Sequence, residues 1–120
     1  DFSTKNGFTG ASVSRIYEDS KGVLWFATDG DGAYKFTNPP FTSINGESGL
    51  SESFISKILP EYKDRLWLGT FNSGLNLWDG RKISKKYNIS NGLPCNGISA
   101  AMLDKHGNKW FGLSGCGVVR

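Results

Sequence analysis

Trp25, Trp67 and Trp110 stand 42 and 43 residues apart, and the residues around them return at fixed offsets. Eighteen positions before each is a glycine (Gly7, Gly49, Gly92), followed by an apolar residue (Phe8, Leu50, Leu93). Twelve before come Val13, Ile55 and Ile98, and the next position is serine every time: Ser14, Ser56 and Ser99. Six before are Asp19, Glu61 and Asp104, and three before are the turn residues Gly22, Asp64 and Gly107. Small residues (Ala27, Gly69, Gly112) follow two positions after, and glycines (Gly32, Gly74, Gly117) seven after. Self-similarity at such a period restricts the chain to folds that stack one supersecondary unit on the next.

The unit itself reads as strands. In the first copy, residues 13–19, 23–28, 32–36 and 41–45 are short β-rich runs, separated by Ser-Lys-Gly, Asp-Gly-Asp and Asn-Pro-Pro turn chemistry. Pro39, Pro40 and Pro94 fall in connections, and Pro60 ends a first strand, where a missing N–H costs little. Leu24-Trp25-Phe26 and Leu66-Trp67-Leu68 do not alternate apolar with polar. Such runs suit strands buried on both faces, as in small sheets sandwiched between neighbours. The expected fold is therefore all-β: a β-propeller segment of three four-stranded blades. A β-sandwich would not bring the same residue type back at every offset.

Composition agrees with this and narrows the partners. Sixteen glycines and 16 aromatics (8 Phe, 4 Tyr, 4 Trp) favour strands and turns. Net charge is +3 with mixed signs, and no basic run exceeds Lys85-Lys86, so neither nucleic acid nor an anionic membrane is an expected partner. No apolar stretch reaches the roughly 18 residues of a membrane span. The chain opens on Asp1 rather than Met, which reads as a piece of something longer.

The motif Val13-Ser-x-Ile16-x-x-Asp19-x-x-Gly22-x-Leu24-Trp25-x-x-Thr28-x-x-x-Gly32 resembles the two-component regulator propeller repeat. Ile55-Ser-x-Ile58 with Leu66-Trp67-Leu-Gly-Thr70 and Gly74-Leu75 is similar to it, as are Ser48-Gly49-Leu50-Ser51 and Asn91-Gly92-Leu93-Pro94. The third unit departs from the pattern with Ala101, Lys109 and Leu113 in place of Ile, an apolar residue and Thr. The resemblance implies the periplasmic sensor region of a bacterial hybrid two-component histidine kinase, of the kind that senses glycan fragments.

Strand counting puts the units in shifted register. Phe2 precedes Gly7 by five residues, as Ile44 precedes Gly49 and Tyr87 precedes Gly92. Residues 1–6 thus read as the outer strand of a preceding blade, 7–48 as blade one, 49–91 as blade two, and 92–120 as blade three without its outer strand. Three blades do not close a ring of the usual four to eight. Two solutions remain open: further blades of the same polypeptide, or self-association of two copies into a six-bladed ring.

Function is expected on the face carrying the loops that enter the first and third strands. The loops entering the third strands, Asp29-Gly30-Asp31, Phe71-Asn72-Ser73 and Ser114-Gly115-Cys116, differ between units while the framework repeats. Asp29, Asp31, Asn72 and Ser114 offer hydrogen bonds to sugar hydroxyls, and Phe71 an apolar platform; the plain alternative is a set of solvated turns. Asp29-x-Asp31 supplies too few oxygens for calcium. Trp25, Trp67 and Trp110 are expected in the structural core, and the serines at the crowded axis. No metal site or cofactor is expected.

Cys95 and Cys116 fall on that same face, in loops separated by one strand. Strand spacing starts their Cα atoms about 10 Å apart, beyond the roughly 7 Å limit of a bridge. A disulfide therefore requires curved loops, and two free thiols are the alternative. His106, the sole histidine, lies in the turn 104–108 on the opposite face, without a partner for catalysis. The expectation is a non-catalytic, periplasmic ligand-sensing segment for a small-molecule or oligosaccharide ligand. The alternatives are a propeller enzyme of the lyase or hydrolase kind and a plain protein-interaction scaffold.

Overall fold

The computed structural model describes residues 12–19, 21–36, 42–52, 54–61 and 65–120. The outer strand expected over residues 1–6 lies outside the described residues, as do Gly7, Phe8, Pro39, Pro40 and Asp64.

Among the described residues, eleven strands form three antiparallel sheets in chain order. The first sheet is β1 (Ser12–Glu18), β2 (Leu24–Asp29), β3 (Ala33–Phe36) and β4 (Thr42–Ile44). The second is β5 (Ile55–Pro60), β6 (Leu66–Thr70), β7 (Leu75–Trp78) and β8 (Ile83–Tyr87). The third is β9 (Ile98–Leu103), β10 (Lys109–Leu113) and β11 (Gly117–Val119). Within each sheet, sequence neighbours are spatial neighbours, the meander that short turns impose. Strand bounds lie close to the periodicity, because Gly22 and Gly107 both adopt the positive φ that ends the first hairpin.

The serine of each unit is the extra residue of a β-bulge. Val13 pairs Thr28 and Arg15 pairs Ala27, leaving Ser14 out of the ladder. Ser56 is skipped between Ile55 and Lys57, and Ser99 between Ile98 and Ala100. A residue released from its own ladder is free to reach sideways, and two of these do. Ser14 Oγ donates to Ile55 O at 3.4 Å, and Ser56 Oγ donates to Ile98 O at 2.6 Å. Ser14 and Ser56 thus latch the innermost strands of the first and second sheets to the innermost strand of the following sheet.

Two apolar layers complete the stacking. Between the first and second sheets lie Trp25, Ala27, Ala33 and Ile44 against Ile55, Leu66, Leu68 and Trp78. Between the second and third lie Leu59, Trp67, Leu75 and Tyr87 against Ile98, Phe111, Leu113 and Val119. Gly69 is needed there, since a Cβ on it would sit 2.6 Å from Ile98 Cγ2. The three repeat tryptophans, all expected in the core, divide. Trp25 is buried, Trp67 packs partly buried against Tyr87 and Phe111, and Trp110 is half-buried and joins neither layer. No further sheet lies over the Trp110 face of the third sheet among the described residues. Trp78, outside the repeat pattern, is buried instead.

Candidate functional site

The loops leading into the first and third strands are tied together on one rim. Phe71 N donates to Phe54 O at 3.3 Å, Ser114 N to Gly97 O at 2.8 Å, and Gly74 N to Asn96 O at 2.7 Å. Asp29, at the end of β2, pairs across the sheet boundary with Phe54. A Cβ on Gly97 would meet Phe71 O at 2.8 Å and Ser114 Cβ at 3.2 Å. Asp29, Phe71, Asn72 and Ser114, picked out by loop divergence, therefore lie along a continuous row.

The centre of the row is aromatic. Phe54 and Phe71 are each 49% exposed and meet edge to face, ring centroids 6.5 Å apart at 82°. Phe54 also lies against Gly30, whose added Cβ would stand 3.4 Å from its ring. Exposed phenyl rings gain nothing from water, so a pair held at a rim offers apolar surface to a ligand. Polar groups flank it. Glu52 Oε1 accepts from Asn72 N at 2.8 Å, and Asn72 is exposed. Asp31 is drawn inward, its Oδ2 accepting a hydrogen bond from Tyr34 Oη.

Sequence reasoning missed Phe54 and Glu52. The signal for Phe54 was present: thirteen residues before each tryptophan stand Ser12, Phe54 and Gly97, so only the middle unit carries an aromatic there. Phe71 is the same kind of exception, four after its tryptophan, where the other units have Asp29 and Ser114.

The loops are stiffened by two chemistries. Thr28 and Thr70 hydroxyls donate to Gly32 O and Gly74 O (2.7 and 2.9 Å) and accept from Asp31 N and Ser73 N (3.1 and 2.9 Å). Leu113 has no hydroxyl to do this. In that third loop Cys116 is instead joined by a disulfide to Cys95, with Cα atoms 6.0 Å apart. The strand-spacing distance of about 10 Å is shortened because Ser114 and Gly97 are bonded backbone to backbone. No group of three His, Cys, Asp or Glu able to hold a metal occurs among the described residues. His106 is exposed in its turn, where its N–H donates to Asp104 Oδ1 at 2.8 Å.

At that opposite end, Asp19 and Asp104 close their turns in one manner. Asp104 Oδ1 accepts from His106 N and Asn108 N, and Oδ2 from Trp110 Nε1 at 2.8 Å. The indole N–H, with the backbone donors, holds this carboxyl down at about 2. At Asp19 burial pushes upward, but hydrogen bonds from Val23 N, Trp25 Nε1 and Lys21 N outweigh it and lower the pKa.

Stacked antiparallel meanders, two of four strands and one of three, latched at their inner strands define a β-propeller segment. The two component regulator propeller family model matches residues 7–30. The fold is similar to the extracellular domain of the putative hybrid two component system BT3049 from B. thetaiotaomicron (27% identity, TM-score 0.80, 98% of this chain and 16% of that one). It is also similar to that of BT4673 from the same organism (23% identity, TM-score 0.71, 90% and 18%). PorZ, a surface component of the type-IX secretion system of Porphyromonas gingivalis, shares the fold at 19% identity (TM-score 0.75, 92% and 17%). The chain thus spans less than a fifth of the length of these solved structures. Among curated proteins none matches it.

Proposed function

We propose that this segment is part of the extracytoplasmic, non-catalytic sensor region of a two-component system and binds oligosaccharide fragments on its loop rim. The observation that carries this reading is the exposed Phe54–Phe71 pair flanked by Asp29, Glu52 and Asn72. Sugars present apolar C–H faces ringed by hydroxyls. An aromatic platform with carboxylate and amide neighbours matches both halves of that surface. Repeat identity and likeness to extracellular domains of hybrid two component systems support the sensor assignment. A non-catalytic role is supported by the distance in the fold between the rim and His106, which sits in the turns of the other end. Periplasmic placement accords with the Cys95–Cys116 bridge.

Calorimetric titration of the chain with neutral and acidic oligosaccharides tests this. Binding should weaken at least about tenfold in Phe71→Ala, the loss of roughly 1.4 kcal/mol of stacking. Binding that Phe54→Ala and Phe71→Ala both leave unchanged, or no binding to any glycan, would sink the sugar reading.

A further inference from the structure

We propose that the residue fifteen before the repeat tryptophan is a tether, which fastens the third-strand loop to the first-strand loop and so positions the aromatic platform of the rim. The second unit makes it with a carboxylate and the third with a disulfide. Its service to a sugar rests on the reading above; the tether itself does not.

Glu52 and Cys95 occupy that position, and Phe71-Asn72-Ser73 and Ser114-Gly115-Cys116 stand four to six after their tryptophans. The two loop pairs share one exposure pattern. Phe71, Asn72, Ser114 and Gly115 are exposed, whereas Glu52, Cys95, Ser73 and Cys116 are partly buried. In the second unit Glu52 Oε1 accepts from Asn72 N at 2.8 Å, and Ser51 Oγ donates to Ser73 O at 3.5 Å. In the third, Cys95 is bridged to Cys116 with Cα atoms 6.0 Å apart. One join between the same two loops is thus made by two chemistries. The first unit carries Gly10 at this position, with no side chain to offer. There Asp31, six after its tryptophan, accepts from Tyr34 Oη of its own hairpin instead.

The second tether holds Phe71 from its C-terminal side. Phe71 N donates to Phe54 O, and the Thr70 hydroxyl pins the residue before it through Gly74 O and Ser73 N. Glu52 then fixes Asn72 by a bond to a charged acceptor, stronger than one to a neutral oxygen. A ring 49% exposed has few neighbours to fix its direction, so the backbone on either side does so. The third tether acts from the other side of the row. It secures the loop of Ser114, whose N donates to Gly97 O, and Gly97 lies against Phe71 O. Glu52 is therefore a positioning residue, and its task needs an acceptor oxygen rather than a charge.

Hydrogen exchange followed by NMR tests this without a ligand, so the outcome counts whether or not a glycan binds. In Glu52→Ala the Asn72 amide should exchange about tenfold faster, as loss of a bond to a charged group implies. Ring contacts between Phe54 and Phe71 should fade with it. Glu52→Gln keeps an acceptor oxygen and should keep both. Reducing the wild type with a phosphine should speed exchange at Ser114 and leave Asn72 unchanged. A chain carrying both Glu52→Cys and Ser73→Cys places a second thiol pair at the positions of Cys95 and Cys116. Glutathione disulfide should oxidise that pair, leaving as two glutathione thiols, and join residues 52 and 73 beside an intact Cys95–Cys116 bridge. The Phe54–Phe71 contacts should then return. Unchanged Asn72 exchange and ring contacts in Glu52→Ala overturn the proposal for the second unit. Ser114 exchange indifferent to reduction overturns it for the third, and thiols at 52 and 73 that stay unpaired overturn the equivalence.

Discussion

The turn between first and second strands is closed in one way in the outer repeats and in another in the middle one. Asp19 and Asp104 each take an indole N–H from the tryptophan six residues on. The middle repeat has Glu61 at that position, and Trp67 Nε1 is buried with no hydrogen-bond partner among the described residues. Glu61 reaches outward instead, to Lys109 Nζ of the next sheet at 2.6 Å and Arg65 Nε at 3.4 Å. One methylene thus turns a latch within a repeat into a tie between sheets. The middle repeat departs again at the opposite end, where it alone carries Phe54 and Phe71. A common frame tolerates such exchanges because the apolar layers, not the turn polar groups, hold the sheets together.

The largest expected effect concerns burial. Trp25→Ala should cost about 3–5 kcal/mol, whereas Trp110→Ala, on the open face, should cost less than half of that. Equal losses in denaturant unfolding would mean that the two faces are covered alike. Next comes the indole bond itself. Trp25→Phe removes a partner of Asp19, while Trp67→Phe removes an unpartnered donor, and both delete similar volume. The first should be the more destabilising by about 1 kcal/mol, and a reversed order would remove the distinction drawn between the turns.

The smallest effect is a pH dependence. The Asp104 carboxyl sits at about 2, below its ordinary 3.8. Its ionised form therefore adds stability that is fully present above 3.8 and is lost as pH falls towards 2. Thermal melts of Asp104→Asn should show a shallower acid decline across that window than the wild type. An unchanged decline would deny the carboxylate its role in the turn.

Much of the fold was legible because the repeat makes every position appear three times. Strand bounds, turn glycines and the recurring serines follow from offsets to the tryptophans, and the lack of alternation predicts which strands are buried on both faces. That the serines are bulged residues came only from the ladders. The candidate rim was legible in its loops but not at its centre. Phe54 belongs to the start of a strand, and only the cross-sheet approach of Asp29 and the backbone bond to Phe71 place it beside them. The disulfide could not be settled from strand spacing, because loop curvature depends on the Ser114–Gly97 bond.

What the sequence by itself determined is the unit: its period, its four-strand plan and the residues that return in it. These are local quantities, set by turn chemistry and side-chain alternation. The tertiary structure alone decided which copies of a repeated residue are equivalent in energy as well as in position. Trp25 and Trp110 occupy the same offset, yet one is sealed beneath the next sheet and the other faces outward. Burial depends on what lies opposite, and no residue carries that information alone.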